Sequence, residues 1–279
     1  DHLMEMQDHV DSKAADAAYD SVKAQQVVDE MNKRHEIYMN PQGNQLSATL
    51  TSLGFIFYLG LSPASAAVNL SQTPLVTLPM LAAKHGFAKA SSALLAASKE
   101  AAQGKNDISK MLKGDELRAY QEAIAAGVID VSMAHDLAGI ASGDDTKAHA
   151  KLRPVMKSAS WMFHHGEKFN RQVSLVAAYR LAKESGKDHA AAYESAVEDV
   201  YASHFDYSTG NRARVMQGNV ARVVLLFKQY AQNMVYTLSR NAVLAAKGDK
   251  VALKTLAGLL VSHAVAAGVL GLPVVGTLL

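Results

Sequence analysis

The sequence predicts an all-α protein, and three observations support this prediction. Of the 279 residues, 49% are hydrophobic but only 6% are aromatic, so the apolar content is mainly alanine, valine, leucine and methionine, which helices accept. Apolar residues recur at steps of three or four, and no segment shows the period of two that marks a strand. Because alanine buries little area, the helices must pack closely over a long length. We therefore expect an elongated multi-helix assembly with two charge-free apolar segments.

The bulk composition limits the possible functions. A net charge of +2 is too small to imply a nucleic-acid-binding surface by itself. The chain has no cysteine, which excludes a disulfide, a thiolate nucleophile and a cysteine metal site. No signal peptide is visible after Asp1, and the sequence stops inside the apolar run GLPVVGTLL. We expect the chain to be a fragment of a longer polypeptide.

Residues 1–40 predict an amphipathic N-terminal helix. Asn40, Pro41 and Gly43 end it. Its apolar and small residues follow a nearly heptad seam, made of Leu3, Met6, Val10, Ala14, Ala17, Ser21, Ala24, Val28, Met31, His35 and Tyr38. Such a seam fits an outer helix of a bundle, and it also fits a coiled coil between subunits.

A long charge-free span dominates the second predicted region, residues 41–104. No Asp, Glu, Lys or Arg occurs from Ile37 to Ala83, whereas surface helices normally carry charge on one side. Within the span, LSATLTSLGFIFYLGL (46–61) is almost continuously apolar, but it falls just short of the about 20 residues that a transmembrane helix needs. We expect this region to be helical and either membrane-inserting or buried inside a large assembly.

Two further helical regions follow. Residues 105–154 predict a short helical hairpin region, and Pro154 then restarts the chain. Residues 155–248 predict a long-helix domain. Its helices are predicted at residues 155–185, 188–204 and 212–247.

The C-terminal segment, residues 249–279, is the second apolar region. It carries no formal charge after Lys254 apart from the titratable His263. Gly258 and Gly268 give it the small residues that let helices pack inside a bilayer. We expect acyl chains or sister subunits to cover it.

The stretch FHHGEKFNR (163–171) contains a candidate for chemistry. His164 and Glu167 are three apart and share a face of the predicted helix, which is part of a helical metal site. No second His-x-x-x-His or Glu-x-x-His set completes such a site. Glu167 and Arg171 have the i,i+4 order that favours an ion pair. We therefore predict a structural ion pair here and no metal, cofactor or catalytic residue.

His204, Asp206 and Ser208 form a second candidate. A nucleophile, its base and the group that orients the base must converge in space, which neighbours in a loop seldom do. No Gly-x-Ser-x-Gly turn precedes the serine. We predict that the loop FDYSTGN (205–211) satisfies free backbone groups between two helices.

A basic set lies along the predicted helix 212–247, consisting of Arg212, Arg214, Arg222 and Lys228. Apolar residues separate its members, as on a face that contacts phosphate, DNA or the lumen of a channel. Ion pairing within an oligomer is the alternative, with Glu194, Glu198 or Asp199 as the acidic partner. No glycine-rich phosphate loop or dinucleotide fingerprint is present, so no cofactor is predicted.

Two stretches, GEKFNRQVSLVAAYRLA and FDYSTGNRARVMQGNVARVVLLFKQYAQNMVYTLSR, resemble the large internal virion proteins of podophages, the DNA-ejection proteins. They are similar also to polyvalent-protein-associated segments of giant phage and mobile-element polypeptides. The resemblance covers residues 155–245 and leaves out the N-terminal helix and the charge-free span. Its recurring elements are Glu167, Asn170, Arg171, Phe205–Asp206–Tyr207–Ser208, Asn211–Arg212 and Phe227–Lys228–Gln229–Tyr230.

The resemblance implies a non-enzymatic virion protein. Such proteins are stored in the capsid interior, leave ahead of the genome and reassemble as a helical tube across the host envelope. The implied partners are further copies of the chain, other ejection proteins, phage DNA bound without sequence preference, and the host inner membrane. Two alternatives remain open: a dry structural core or scaffold protein of the virion, and a pore-forming toxin-like module of a polyvalent polypeptide.

Overall fold

The all-α prediction is confirmed for the part of the chain that the structure describes. The computed structural model describes residues 2–39 apart from 15, 17 and 18, residues 50, 53 and 54, and residues 63–129, 147–205 and 228–268. Helices joined by turns make up these ranges, and no strand occurs in them.

The helices follow one another with short connections. The α-helices are α1 (His2–Lys13), α2 (Ser21–Met39), α3 (Pro63–Leu70), α4 (Leu78–His85), α5 (Phe87–Gln103), α6 (Gly114–Ala125), α7 (Lys147–Glu184), α8 (His189–His204), α9 (Lys228–Ala246) and α10 (Lys250–Ala267). A π-helical turn covers Thr73–Thr77 and leads directly into α4. A 3₁₀ turn covers Ile108–Lys110.

The long helix α7 is the centre of the main core. It packs against α3, α5, α6 and α8. The faces that α5 and α8 turn toward it are rich in alanine, as at Ala97 and Ala196, which lets the helix axes approach closely. The larger side chains of this core include Leu81, Leu94, Ile108, Tyr120, Ile129, Leu175 and Leu181.

A second, smaller cluster joins the last two helices to the rest. It consists of Val76, Phe205, Met234 and Leu259, with Leu75, Met80 and Leu238 packed around them. α10 contacts α4, α9 and the π turn. At Gly258 the approach is so close that an added Cβ would lie 2.9 Å from Cβ of Pro79. Glycine is therefore required there by the packing of α10 on α4.

The N-terminal residues form a hairpin of two helices, so the prediction of one continuous helix is wrong. α1 and α2 fold back on each other. Val10 and Val28 are buried, and the side chains of Gln7 and Gln25 exchange hydrogen bonds of 2.9 Å. The side chain of Asp20 accepts a bond from Lys23 N at 3.0 Å. This cap starts a new helix inside the seam that the apolar spacing alone continues.

α7 also starts earlier than predicted, because it runs through Pro154. Proline lacks the N–H that would bond to the carbonyl of Ala150, and its ring crowds that turn. The cost falls on one position of a helix 38 residues long. A proline therefore did not end this helix, although it usually does.

The apolar regions differ in what the structure shows of them. Among the described helices, none combines the length and apolarity needed to cross a membrane. Residues 78–103, which belong to the region predicted to be membrane-inserting or buried, pack into the main core through α4 and α5. The run 46–61 lies outside the described residues except at 50, 53 and 54, as do residues 269–279.

Candidate functional site

A row of polar residues in the second half of α7 is almost completely buried. Its members are Glu167, Asn170, Arg171, Gln172 and Ser174, each with 4% or less of its surface exposed. Buried polar groups are costly unless they are hydrogen-bonded. We therefore traced the partner of each side chain, and the partners come from turns and helix ends that pack on α7.

Arg171 connects three parts of the chain. Its Nε lies 3.3 Å from Oε1 of Glu167. One terminal nitrogen donates to the carbonyl of Val128 at 3.1 Å, and the other donates to the carbonyl of Phe205 at 2.8 Å. The side chain is 0% exposed. The guanidinium thus holds the turn after α6 and the end of α8 against α7.

The two neighbouring amides connect further segments. Asn170 accepts from the hydroxyl of Thr73 in the π turn at 2.8 Å and donates to the carbonyl of Asn69 at 2.6 Å. Gln172 accepts from the backbone N–H of Ile108 at 3.2 Å and donates to Oδ1 of Asn106 at 2.7 Å. Together these bonds fix the α3 end and the 3₁₀ turn on α7.

The ring of His204, at the end of α8, lies inside the same row. Its Nε2 is 2.7 Å from Oγ of Ser174 and 3.3 Å from Oγ1 of Thr77. Its Nδ1 is buried without a hydrogen-bond partner. Burial, reinforced by the nearby Arg171 cation, lowers the pKa of the imidazole well below its ordinary value. We call His204, Ser174, Thr77 and Arg171 the His204 site.

Local backbone geometry brings these groups together. The π turn presents Thr73 and Thr77 to α7, and both are buried. α8 stops at Phe205, whose backbone has φ 57° and ψ 163°, a region that residues other than glycine rarely adopt. This sharp stop directs the carbonyl of Phe205 to Arg171 and places its ring 5.8 Å from that of Tyr230 on α9.

The residues that carry the resemblance therefore meet in one place. Glu167, Asn170 and Arg171 lie in the buried row, and Phe205 bonds to it. Tyr230 contacts Phe205 from α9. The ion pair of Glu167 with Arg171 has the i,i+4 geometry that the sequence predicts, but its complete burial is not evident from the spacing.

Other charged groups pair around the periphery of the core. Lys84 of α4 bonds to the carboxylate of Asp199 on α8. Arg180 bonds to both Glu100 and Glu116, at 2.8 and 2.9 Å. The predicted alternative of an arginine pairing with Asp199 is thus met by a lysine from α4 instead.

A groove of about 690 Å³ lies between α4, α8, α9 and α10. Its lining includes the Lys84–Asp199 pair, Glu198, Arg240 and Asp249, together with apolar residues. Acidic and basic groups alternate in it, so its electrostatics select no single charge of ligand. Chemically it is a cleft between packed helices.

The predicted candidates for chemistry do not converge. Among the described residues no group of three or more possible metal-binding side chains occurs, and Glu167 is engaged with Arg171. His204 contacts Ser174, which lies 30 positions away on another helix, but both are 1% exposed, so a substrate has no access to them. Asp206 and Ser208 lie outside the described residues.

The predicted basic face is described in part. Lys228 is exposed at the first position of α9, and Arg240 is exposed further along it. Arg212, Arg214 and Arg222 lie outside the described residues. What sequence reasoning missed is the His204 site, because its members share no local motif.

No protein-family model, curated protein or solved structure matches the chain.

Proposed function

We propose that the chain is a structural protein of the virion interior, which is ejected into the host and assembles with further copies of itself into a channel for phage DNA. The observation that carries this proposal is the burial of the residues behind the resemblance. They bond helix ends and turns to α7, and the Ser174–His204 contact among them is enclosed. Residues in such positions maintain a fold on which an assembly depends.

The exposed apolar surface of α9 and α10 supports assembly. On α10, Leu253 is 56%, Val261 62% and Val265 82% exposed, and on α9 Tyr236 is 67% exposed. Over the described part of α10 no charged side chain follows Lys254. Monomeric proteins rarely expose large contiguous apolar patches, which more often mark interaction sites. We name this surface the α9–α10 face and propose that sister copies cover it.

The remaining parts of the proposal follow the sequence. Phage DNA would be met by Arg212, Arg214, Arg222 and Lys228, of which Lys228 is exposed. Other ejection proteins would complete the assembly. Contact with the host inner membrane would be made by the charge-free run 46–61 and the end of the C-terminal segment.

The test is to image the purified chain and to measure its binding to lipid. A channel subunit should form rings or tubes with a central lumen in electron micrographs and should float with vesicles of bacterial phospholipid. A chain that stays monomeric at high concentration in both assays contradicts the proposal.

A dry core or scaffold protein of the virion is the second candidate, favoured by the finding that no described helix could span a membrane. It predicts regular oligomers in detergent-free buffer and no flotation with vesicles. The two assays together therefore separate the candidates.

A further inference from the structure

We propose that the His204 site is an acid-sensitive latch, which holds the end of α8 on α7 while the ring is neutral and releases it when the ring takes up a proton. This inference does not depend on the proposed function. It starts from a titratable ring that is 1% exposed and has one nitrogen without a partner.

The first step concerns the neutral state. The ring is a small polar group between two hydroxyls, Oγ of Ser174 at 2.7 Å and Oγ1 of Thr77 at 3.3 Å. Ser174 also donates to Thr77 at 3.3 Å. A neutral imidazole offers one donor and one acceptor, so Nε2 and the two hydroxyls satisfy one another. In this state α7, α8 and the π turn are joined at one point.

The second step concerns the protonated state. An imidazolium carries a proton on both nitrogens, and Nδ1 of His204 has no acceptor within reach among the described residues. The new cation would also lie beside Arg171, whose guanidinium is itself completely buried. Burying a second charge without a partner is unfavourable. The site can accept the proton only by opening to water.

The surrounding charges do not compensate for that cation. On α7 the carboxylate of Glu167 is engaged with Arg171, and on α8 the carboxylate of Asp199 is engaged with Lys84 of α4. The π turn contributes only threonine hydroxyls. Elsewhere, α9 brings Tyr230 to Phe205, and α10, which contacts the π turn, carries His263, whose Nδ1 lies 2.8 Å from the carbonyl of Leu259.

The consequence of opening is structural, because the His204 site and the Arg171 bond to Phe205 adjoin each other at the end of α8. The ring of Phe205 contacts Tyr230 on α9. Loss of the latch therefore loosens the small cluster that ties α9 and α10 to the rest, whereas the alanine-rich contacts of α5 with α7 stay intact.

The direction of the pH effect follows from proton linkage. In the open state His204 has an ordinary pKa of about 6.5, whereas the closed state keeps the ring neutral, so the open form binds one more proton in acid. Opening is thus suppressed above about pH 6.5 and grows as the pH falls, by up to about tenfold per pH unit. From pH 7.5 to 5.0 the opening constant should rise about 30-fold, while carboxylates with pKa values near 4 remain largely ionised.

The chain has no cysteine, so a single introduced thiol reports opening at a chosen position. Ser203→Cys places it beside His204 at a position that is 0% exposed, and Ala97→Cys places it on α5 at a position that is equally buried. The rate of thiol labelling in the folded protein, divided by the rate for a short cysteine peptide at the same pH, gives the opening constant at each position.

The expected result is an increase of about 30-fold at Cys-substituted position 203 between pH 7.5 and 5.0, with less than a threefold change at position 97. His204→Gln keeps a neutral polar side chain, and in that background the increase at position 203 should disappear. Equal increases at both positions, or an increase that survives His204→Gln, overturn the latch.

A measurement on the unmodified chain covers the case in which His204→Gln does not fold. The chain has 11 histidines, and their ring signals can be followed by NMR with labelled histidine as the pH is lowered. The His204 ring should stay neutral in the folded protein at pH 5.0. A ring that titrates near pH 6.5 while α8 remains folded overturns the proposal.

Discussion

The middle of α7 and the length of α10 distribute polar and apolar side chains in opposite ways. α7 places a carboxylate, a guanidinium, two amides and a hydroxyl in the interior. α10 places Leu253, Val261 and Val265 at the surface. Both arrangements run against the usual preference of these residue types, and each therefore requires a physical explanation.

The difference shows which interactions define the fold and which are open to a partner. The buried groups of α7 bond to segments far away in sequence, from Asn69 to Phe205, so they specify where those segments sit. The exposed side chains of α10 do nothing comparable within the folded chain. Replacing groups in α7 should therefore change folding, and replacing groups on α10 should change association.

The largest effect is expected at Arg171. Arg171→Met removes the buried cation while the carboxylate of Glu167 stays in the interior, and breaking a buried ion pair in this way typically costs about 3–5 kcal/mol. The free energy of unfolding, measured by urea denaturation, should fall by that amount.

The matched control is Arg118→Met on α6, where Arg118 pairs with Glu122 at the same i,i+4 spacing but on the surface. It should leave the denaturation midpoint nearly unchanged. If the two variants lose equal stability, burial of the α7 row is not what makes it important.

A smaller effect is expected where α10 crosses α4. Gly258→Ala would place a Cβ 2.9 Å from Pro79, and forcing extra volume into a well-packed contact costs about 1–3 kcal/mol. Gly166→Ala on α7 is the control, since its Cβ would meet Asn69 and Leu70 at ordinary distances of 3.7 Å. There the better helix propensity of alanine should stabilise by up to about 1 kcal/mol. Thermal unfolding of both variants decides whether the close approach is real.

The smallest effect on stability, and the largest on association, is expected on the α9–α10 face. Val261→Glu combined with Val265→Glu should change the free energy of unfolding by less than about 0.5 kcal/mol, as is usual for surface positions. The same variant should lose the high-order oligomers that we propose, as seen by light scattering during size-exclusion chromatography.

Phe87→Glu serves as its control, because Phe87 is 67% exposed but lies at the start of α5, away from that face. Oligomers that persist in the α10 variant, or that are lost equally in the α5 variant, would show that α10 is not the contact.

Parts of the fold were predictable because they depend on local sequence. The helix ending at His204 was predicted within a residue of its observed bounds, since Asp188 caps its start. The break between α1 and α2 was missed, although Asp20 gives the same kind of signal, because apolar spacing continues across it. Pro154 misled in the other direction, since a helix with enough other hydrogen bonds tolerates one proline.

The candidate site was predictable only where its members are close in sequence. Glu167 and Arg171 are four apart, and their pairing follows from helix geometry. Ser174 and His204 are 30 apart, and nothing in either neighbourhood indicates the other. Their contact depends on the way α8 packs along α7 and on the π turn that supplies Thr77. Such a site emerges from tertiary structure alone.

The backbone of Phe205 gives the molecule a direction in which to come apart. A bulky residue at φ 57° and ψ 163° stores on the order of 1–3 kcal/mol, and neighbouring bonds keep it from relaxing. Once those bonds are lost, this residue springs back to an ordinary extended conformation and opposes reclosure. We therefore expect disassembly to begin at this joint and to free the last two helices first, so that the polypeptide unravels from its carboxyl-terminal side rather than all at once.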